Sequence, residues 1–291
     1  MRDLIHFDAA TLRATVGPRE LSAKSRTELR GKASRAIYEV LHVGRSVERS
    51  AQSRWTADAE LTALLEEATP HHEAPGSAML LGMGSTTATV EVSGLRLRVP
   101  QNDVPSTVDI GEHFTMPLPA ARPALSPGFH LVDSSRGFTH DRGPLLRVYF
   151  HLRSADDAPR TWHAVLNSLE ALGIAYRAKV LSRRADYPRR DALVLYLKQD
   201  AAHAVRNLPR LPWLGEQTSA FARRVAPGVA VAWEPADPRE GRTRLSFGQH
   251  RARALADGLA DGGWAAVPAA LAAAGIDPDA LHRNRNSPAL P

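Results

Sequence analysis

Arg147-Val148-Tyr149-Phe150-His151 places a fixed cation, a phenol and an imidazole at alternate positions, and Lys179 follows in Ala178-Lys179-Val180. In an extended strand, alternate side chains share a face, so Arg147, Tyr149 and His151 point one way and Val148, Phe150 and Leu152 the other. One face is apolar enough for a core. The other carries groups suited to taking a proton beside a bound anion. A lysine that acts as a base must lose its own proton first, and burial or neighbouring cations favour the free amine. The alternative is an amphipathic strand with one wet face.

Strand, helix and strand are the elements that would position these groups. Val165, Leu166, Leu169 and Leu172 recur at helical spacing within 158–172, between the Arg147 strand and the Lys179 strand. A third strand, Ala192 to Leu197, is nearly all apolar, includes Tyr196 and ends before Lys198. Arg189 and Arg190 precede it and Arg251 lies far downstream. Guanidinium stays charged and grips phosphate with two parallel hydrogen bonds. Surface pairing of Arg189 or Arg190 with Asp186 or Asp191 is the alternative use.

The chain has 291 residues, 43% hydrophobic, with net charge +6 and no cysteine. Disulfides and thiolate metal sites are thereby excluded. The basic residues are nearly all arginine, which GC-rich coding would produce, and lysine occurs only at Lys24, Lys32, Lys179 and Lys198. The N-terminus lacks the apolar run of a signal peptide, and no stretch is long enough to span a bilayer. The expectation is a soluble cytoplasmic protein without membrane partners. Net charge alone gives no stacking platform or motif for nucleic acid. No Walker loop, G-x-G-x-x-G, H-E-x-x-H or G-x-S-x-G occurs. His71-His72 lacks a third ligand at useful spacing. The reaction read here needs neither metal nor organic cofactor.

The pattern predicts an α+β protein in two parts, residues 1–120 with helices and a β-hairpin, and 121–291 as a mixed α/β domain. Helices are expected over 19–45, stopped by Gly44, and over 56–68, capped by Thr56. Thr87 to Val92, a Ser93-Gly94 turn and Leu95 to Val99 read as a hairpin. The Pro- and Gly-rich stretch 117–144 reads as a connector with one short strand from Phe129 to Val132. A further strand over 228–233, a helix opening at Ser246-Phe247 and a short one over 268–274 complete the reading.

SPGF (Ser126 to Phe129), RVYF (Arg147 to Phe150), AKVL (Ala178 to Leu181), YPRRDALVLYL (Tyr187 to Leu197), GVAVAWEP (Gly228 to Pro235) and SFGQHR (Ser246 to Arg251) occur in order. Together they resemble the HopA-type effector family over roughly residues 125 to 291. Ile37 to His42 is a looser match. The family includes type III effectors of plant pathogens and members in actinobacterial clusters for lanthipeptides and thioamitides. A more distant similarity, to pathogen phosphothreonine lyases of the SpvC and OspF type, implies a lyase-like fold for 121–291 and a set of roles. Lys179 would be the base, and Tyr196 the strand tyrosine. Arg147 and Tyr149 would stand where those lyases have lysine and histidine. Arg189 or Arg190, and Arg251, would hold phosphate. Since the acid histidine is replaced, Tyr149 or His151 would protonate the leaving group.

The resemblance thus implies β-elimination of phosphate from phosphoserine or phosphothreonine, giving dehydroalanine or dehydrobutyrine. The substrate would be a phosphorylated, leader-bearing precursor peptide, made by a separate Ser/Thr kinase, with the N-terminal part docking leader or kinase. The alternative is a non-catalytic protein that holds a phosphopeptide or partner in the same pocket.

Overall fold

The computed structural model describes residues 1–47, 57–92, 94–122, 125–138, 143–237, 239 and 245–290. Three short strands open the chain: β1 (Ile5–Asp8), β2 (Arg13–Val16) and β3 (Arg19–Ser22) form an antiparallel meander. The segment 19–22, expected to be helical, is β3. Helix α1 (Arg26–Ile37) starts later, where the Ser25 hydroxyl accepts from the Glu28 amide at 3.2 Å. It continues into a π-helical turn (Tyr38–Val43), and Gly44 ends it at φ +89°, a left-handed conformation that glycine adopts without a Cβ penalty.

Helix α2 (Ala59–Glu67) is capped by Asp58, whose carboxylate accepts from the Leu61 amide; Thr56 lies outside the described residues. A four-stranded antiparallel sheet follows, from β4 (Glu73–Met83), β5 (Thr87–Val92), β6 (Leu95–Pro100) and β7 (His113–Pro119), in the order β6-β5-β4-β7. The predicted hairpin is β5 and β6, with Ser93 outside the described residues.

The third sheet holds β8 (Phe129–Asp133), β9 (Leu145–Leu152), β10 (Tyr176–Leu181), β11 (Arg189–Lys198), β12 (Arg223–Ala226) and β13 (Val229–Trp233). The order is β12-β13-β9-β11-β10-β8, and all its pairings are antiparallel. Helix α3 (Asp157–Ala171) joins β9 to β10 and covers one face. Trp162, Val165, Leu166 and Leu169 there form one buried cluster with Val148, Phe150, Leu193 and Leu195. Burying each such side chain stabilises the fold by about 1.5–3 kcal/mol. The Trp162 indole N–H is satisfied by Thr69 Oγ1 at 2.9 Å.

The opposite face of this sheet is covered as well. Helix α4 (Phe247–Gly262) begins with a reciprocal Ser246–Gln249 capping box. It packs with α1, and α5 (Val267–Ala273) packs against it in turn. Tyr149, Val194, Tyr196 and Ala232 share a second buried cluster with Ile37, Leu41, Phe247 and Leu255. The face that alternation left open to water is therefore closed by helices from both ends of the chain. The protein is α+β, and among the described residues no helix is long and apolar enough to cross a membrane.

Ile37 is fully buried in this shared cluster. Ile37→Ala is expected to cost about 2–5 kcal/mol, read by denaturant unfolding as one shifted transition. Two separate transitions, with only the weaker one shifted, would show that the N-terminal helix is not part of this core.

Candidate active site

Strand register fixes which side chains meet. Lys179 lies across from Val194, which lies across from Tyr149. One row along, Arg177 is paired with Tyr196, and Tyr196 with Arg147. Cross-strand partners share a face, so Lys179, Tyr196, Arg147 and Tyr149 all point toward α1 and α4. Lys179 and Tyr149 are two strands apart, about 10 Å at the backbone.

Lys179 Nζ sits 4.4 Å from the Phe129 ring centroid and 5.8 Å from that of Tyr196, and 3.5 Å from Ser126 Oγ. Arg147 stacks its guanidinium 5.0 Å from the same Tyr196 ring, and Arg189 lies 5.8 Å from the Phe129 ring. Two aromatic rings thus separate three cations, each attracted to a ring face. Among the described residues, Lys179 makes no ion pair with a carboxylate.

The arginines are paired. Arg147, only 9% exposed, donates through Nε and Nη2 to the two carboxylate oxygens of Glu234. Arg189 forks onto Asp191 at 2.8 and 2.7 Å and also reaches the Tyr38 hydroxyl. Burial would raise the Asp191 carboxyl, yet the Arg189 guanidinium holds it well below the usual carboxylate range.

Arg251 is fully buried and donates to the Leu281 carbonyl and to Asn284 Oδ1, both at 2.9 Å. Its guanidinium is pushed down to about 10, chiefly by burial and further by Arg147; Tyr149 and Glu234 act the other way. Arg190 turns elsewhere, to the carbonyls of Val40 and Leu41 and to Gln217 Oε1 at 2.6 Å. His151 goes with it, its Nδ1 2.9 Å from the Gln217 carbonyl oxygen. The sequence-derived residues therefore fall into two groups. Lys179, Tyr196, Arg147 and Arg189 converge, with Tyr149 and Arg251 behind them, while His151 and Arg190 meet at Gln217.

Tyr149 buries its hydroxyl without a hydrogen-bond partner among the described residues. Burial pushes the phenol well above its ordinary range, while the nearby Arg147 charge opposes that shift. A buried polar group without a partner is uncommon and calls for an explanation, of which a role in chemistry is one.

His42 was not among the sequence candidates. Its imidazole is buried edge-on to Tyr149, with centroids 5.3 Å apart, and near-parallel to Phe221 at 6.1 Å. Nδ1 meets Ser219 Oγ at 2.7 Å and Nε2 lies 3.5 Å from Asp191 Oδ2. Its only sequence signal was the Ile37 to His42 segment. Glu234, which holds Arg147, sat inside a motif without being singled out, whereas Asp191 was already named as a pairing partner for Arg189 or Arg190.

His71 Nε2 is 2.8 Å from the Asp133 carbonyl oxygen, and Nδ1 is 3.4 Å from Glu170 Oε1. Among the described residues no group of three or more His, Asp or Glu is placed to hold a metal.

The profile of the HopA1 effector protein family matches residues 120–283, more than half of the chain, and the chain belongs to that family. No curated protein matches the sequence. A solved effector protein from Pseudomonas syringae pv. tomato strain DC3000 superposes with a TM-score of 0.52 at 16% identity, covering 92% of each chain. Another, from P. syringae pv. syringae strain 61, gives 0.45 at 13% identity, covering 89% of this chain and 93% of that one. The first likeness extends the shared fold to the N-terminal elements that the family profile does not reach.

The buried His42 is pulled down to about 4 by burial, which outweighs the opposing Asp191 charge, so it is neutral at pH 7. An unfolded chain takes up that proton near pH 6.5, so stability is expected to fall between about pH 6.5 and 4 as acid favours the unfolded state. His250, lowered by burial to about 4 as well, adds to the same slope. Chemical denaturation at pH 7 and pH 4.5 should show a smaller loss for His42→Gln than for the wild type. Equal losses would mean that His42 does not titrate in this window.

Proposed function

We propose that the protein eliminates phosphate from phosphoserine or phosphothreonine in a peptide, leaving dehydroalanine or dehydrobutyrine. The observation that carries this reading is Lys179, set between Phe129 and Tyr196 beside Arg147 and Arg189 and, among the described residues, with no carboxylate at ion-pair distance, although its charge is felt at Asp191.

In this reading Lys179 Nζ takes the Cα proton of the phosphorylated residue. The electrons left at Cα form the Cα–Cβ double bond as the Cβ–O bond breaks, and phosphate departs with the bonding pair. Tyr149, whose hydroxyl has no hydrogen-bond partner among the described residues, supplies a proton to the departing oxygen, while His151, turned to Gln217, stands apart. Arg147 and Arg189 stabilise the charge gathering on phosphate, and Arg251 adds positive charge from behind. Phosphate displaces Glu234 from Arg147, since Glu234 is 32% exposed and can swing out, whereas Asp191 stays on Arg189. Tyr196 holds the two cations apart. No metal or organic cofactor takes part in the proposed step.

The substrate is taken to be a leader-bearing precursor peptide of the lanthipeptide or thioamitide kind, phosphorylated by a separate kinase, as the resemblance to actinobacterial members implies. Residues 1–120 are then the place for leader or kinase to dock. One observation favours a second reading, phosphopeptide or partner binding without chemistry: Arg147, Arg189, Arg190 and Arg251 already hold protein acceptors.

Mass spectrometry of a phosphorylated precursor, with its kinase present, separates the two. Elimination removes phosphoric acid and leaves a product that thiols trap. Lys179→Ala is expected to abolish it without unfolding the protein. Tyr149→Phe should slow it by about 10²–10⁴-fold, the range of general acid catalysis, and His151→Ala far less. Near wild-type turnover by Lys179→Ala would refute the mechanism. Tight binding without mass loss would install the second reading.

A further inference from the structure

A cleft of about 640 Å³ opens where the four-stranded sheet meets the end of the six-stranded one. Its walls include Ser77 and Thr115 from one sheet, Phe138 and Arg136 after β8, and Lys198 and His203 at and beyond the end of β11. None of these residues belongs to the cluster around Lys179, yet the cleft adjoins it. Lys198 follows Tyr196 by two positions and so shares its face, a step of about 6.6 Å. Arg177, paired across the strands with Tyr196, stacks its guanidinium 5.2 Å from the ring of Phe138. Site and cleft thus share one wall.

The cleft is also charged in one sense. Arg136 and Lys198 line it with His203 beside them, and Asp200 is the one carboxylate among the described lining residues. Arg136 is exposed but its turn is pinned. Ser135 binds Glu170 through both its amide and its hydroxyl, and Ser134 Oγ donates to the Gly137 carbonyl at 2.9 Å. The guanidinium lies over Gly173 at the C-terminal end of α3, where a Cβ would come within 3.4 Å of Nη2. That helix end favours a cation and helps keep the arginine in place.

Resting on the lyase reading, we propose that this cleft binds the substrate peptide beside its phosphorylated residue and selects acidic side chains there. An extended peptide advances about 3.3 Å per residue. With its phosphoresidue at Lys179 and Tyr196, the residues roughly two to four positions away lie over Arg136, Lys198 and His203. Small walls at Gly76, Gly137, Ala175 and Ala201 leave room for a backbone.

The test uses the full chain carrying Lys179→Ala, so that substrate is not consumed. Two labelled phosphothreonine peptides are compared at low salt by fluorescence anisotropy. One has glutamates on both sides beyond an alanine spacer, and the other has glutamines there. The glutamate peptide is expected to bind about fivefold tighter, the size of two partly screened charge pairs. Arg136→Glu should erase that preference. Arg96→Glu with Arg98→Glu, on the remote strand β6, should leave it intact. A preference that survives Arg136→Glu, or that the remote pair removes equally, would reduce it to general attraction by a basic protein and overturn the proposal. Elimination assays on the wild type separate this proposal from the one beneath it. Absent elimination with the preference retained would sink the lyase and leave the cleft standing. Elimination at equal efficiency for both peptides would sink the cleft alone.

Discussion

A guanidinium buried in a sheet must be paired, because an uncompensated charge there costs several kcal/mol. Arg147 imposes that demand from the middle of the six-stranded sheet. Register meets it: β13 runs beside β9 with Ala232 across from Arg147, and the Glu234 amide donates to the Leu145 carbonyl at 2.7 Å. This brings the Glu234 carboxylate to the end of the strand pair and onto the guanidinium. The Glu234 carbonyl in turn accepts from Asn284 Nδ2 at 2.7 Å, and Asn284 Oδ1 accepts from Arg251. One buried charge thereby organises β9, β13, α4 and the C-terminal tail. Arg147 and Lys179 thus approach the Tyr196 ring from the two strands that flank it, β9 and β10.

The opposite wall follows the same logic through Asp191. Its carboxylate grips Arg189, and His42 from the N-terminal π-helical turn approaches it while bonded to Ser219. Because burial keeps His42 neutral, the imidazole acts as a wedge of fixed shape against Tyr149, Phe221 and Phe247. Gly248 has to be glycine in this packing, since a Cβ there would fall 2.3 Å from the His42 ring. The first forty-odd residues are therefore built into the candidate site's back wall.

The alternation of β9, the apolar stripe of α3 and the apolar run of β11 were legible because each is long and regular. Lys179, Tyr196, Arg147 and Arg189 lie together in the structure. Less legible was the far side of the sheet: Arg147 and Tyr149 look wet in sequence, and only α1 and α4, distant in the chain, bury them. The strands β1 to β3 are four residues each, too short for a period to emerge, and the spacing of Leu21, Leu29 and Ile37 drew β3 into a helix. Prolines hid β7. As an edge strand it tolerates Pro117 and Pro119, which lack an amide donor, while Phe114, Met116 and Leu118 still alternate inward. Of the arginines' partners, Asp191 was legible two residues from Arg189, whereas Glu234 was not, because its meeting with Arg147, 87 positions away, depends on register.

The central claim is that Lys179 removes the Cα proton of a phosphorylated residue. A phosphopeptide deuterated at that Cα, incubated with the wild-type protein and its kinase partner, tests it most directly. Elimination requires that phosphate and the deuterium leave together, so the product should lack both, and Lys179→Ala should leave both in place. Release of phosphate with the deuterium retained and a hydroxyl restored would mean hydrolysis and contradict the account.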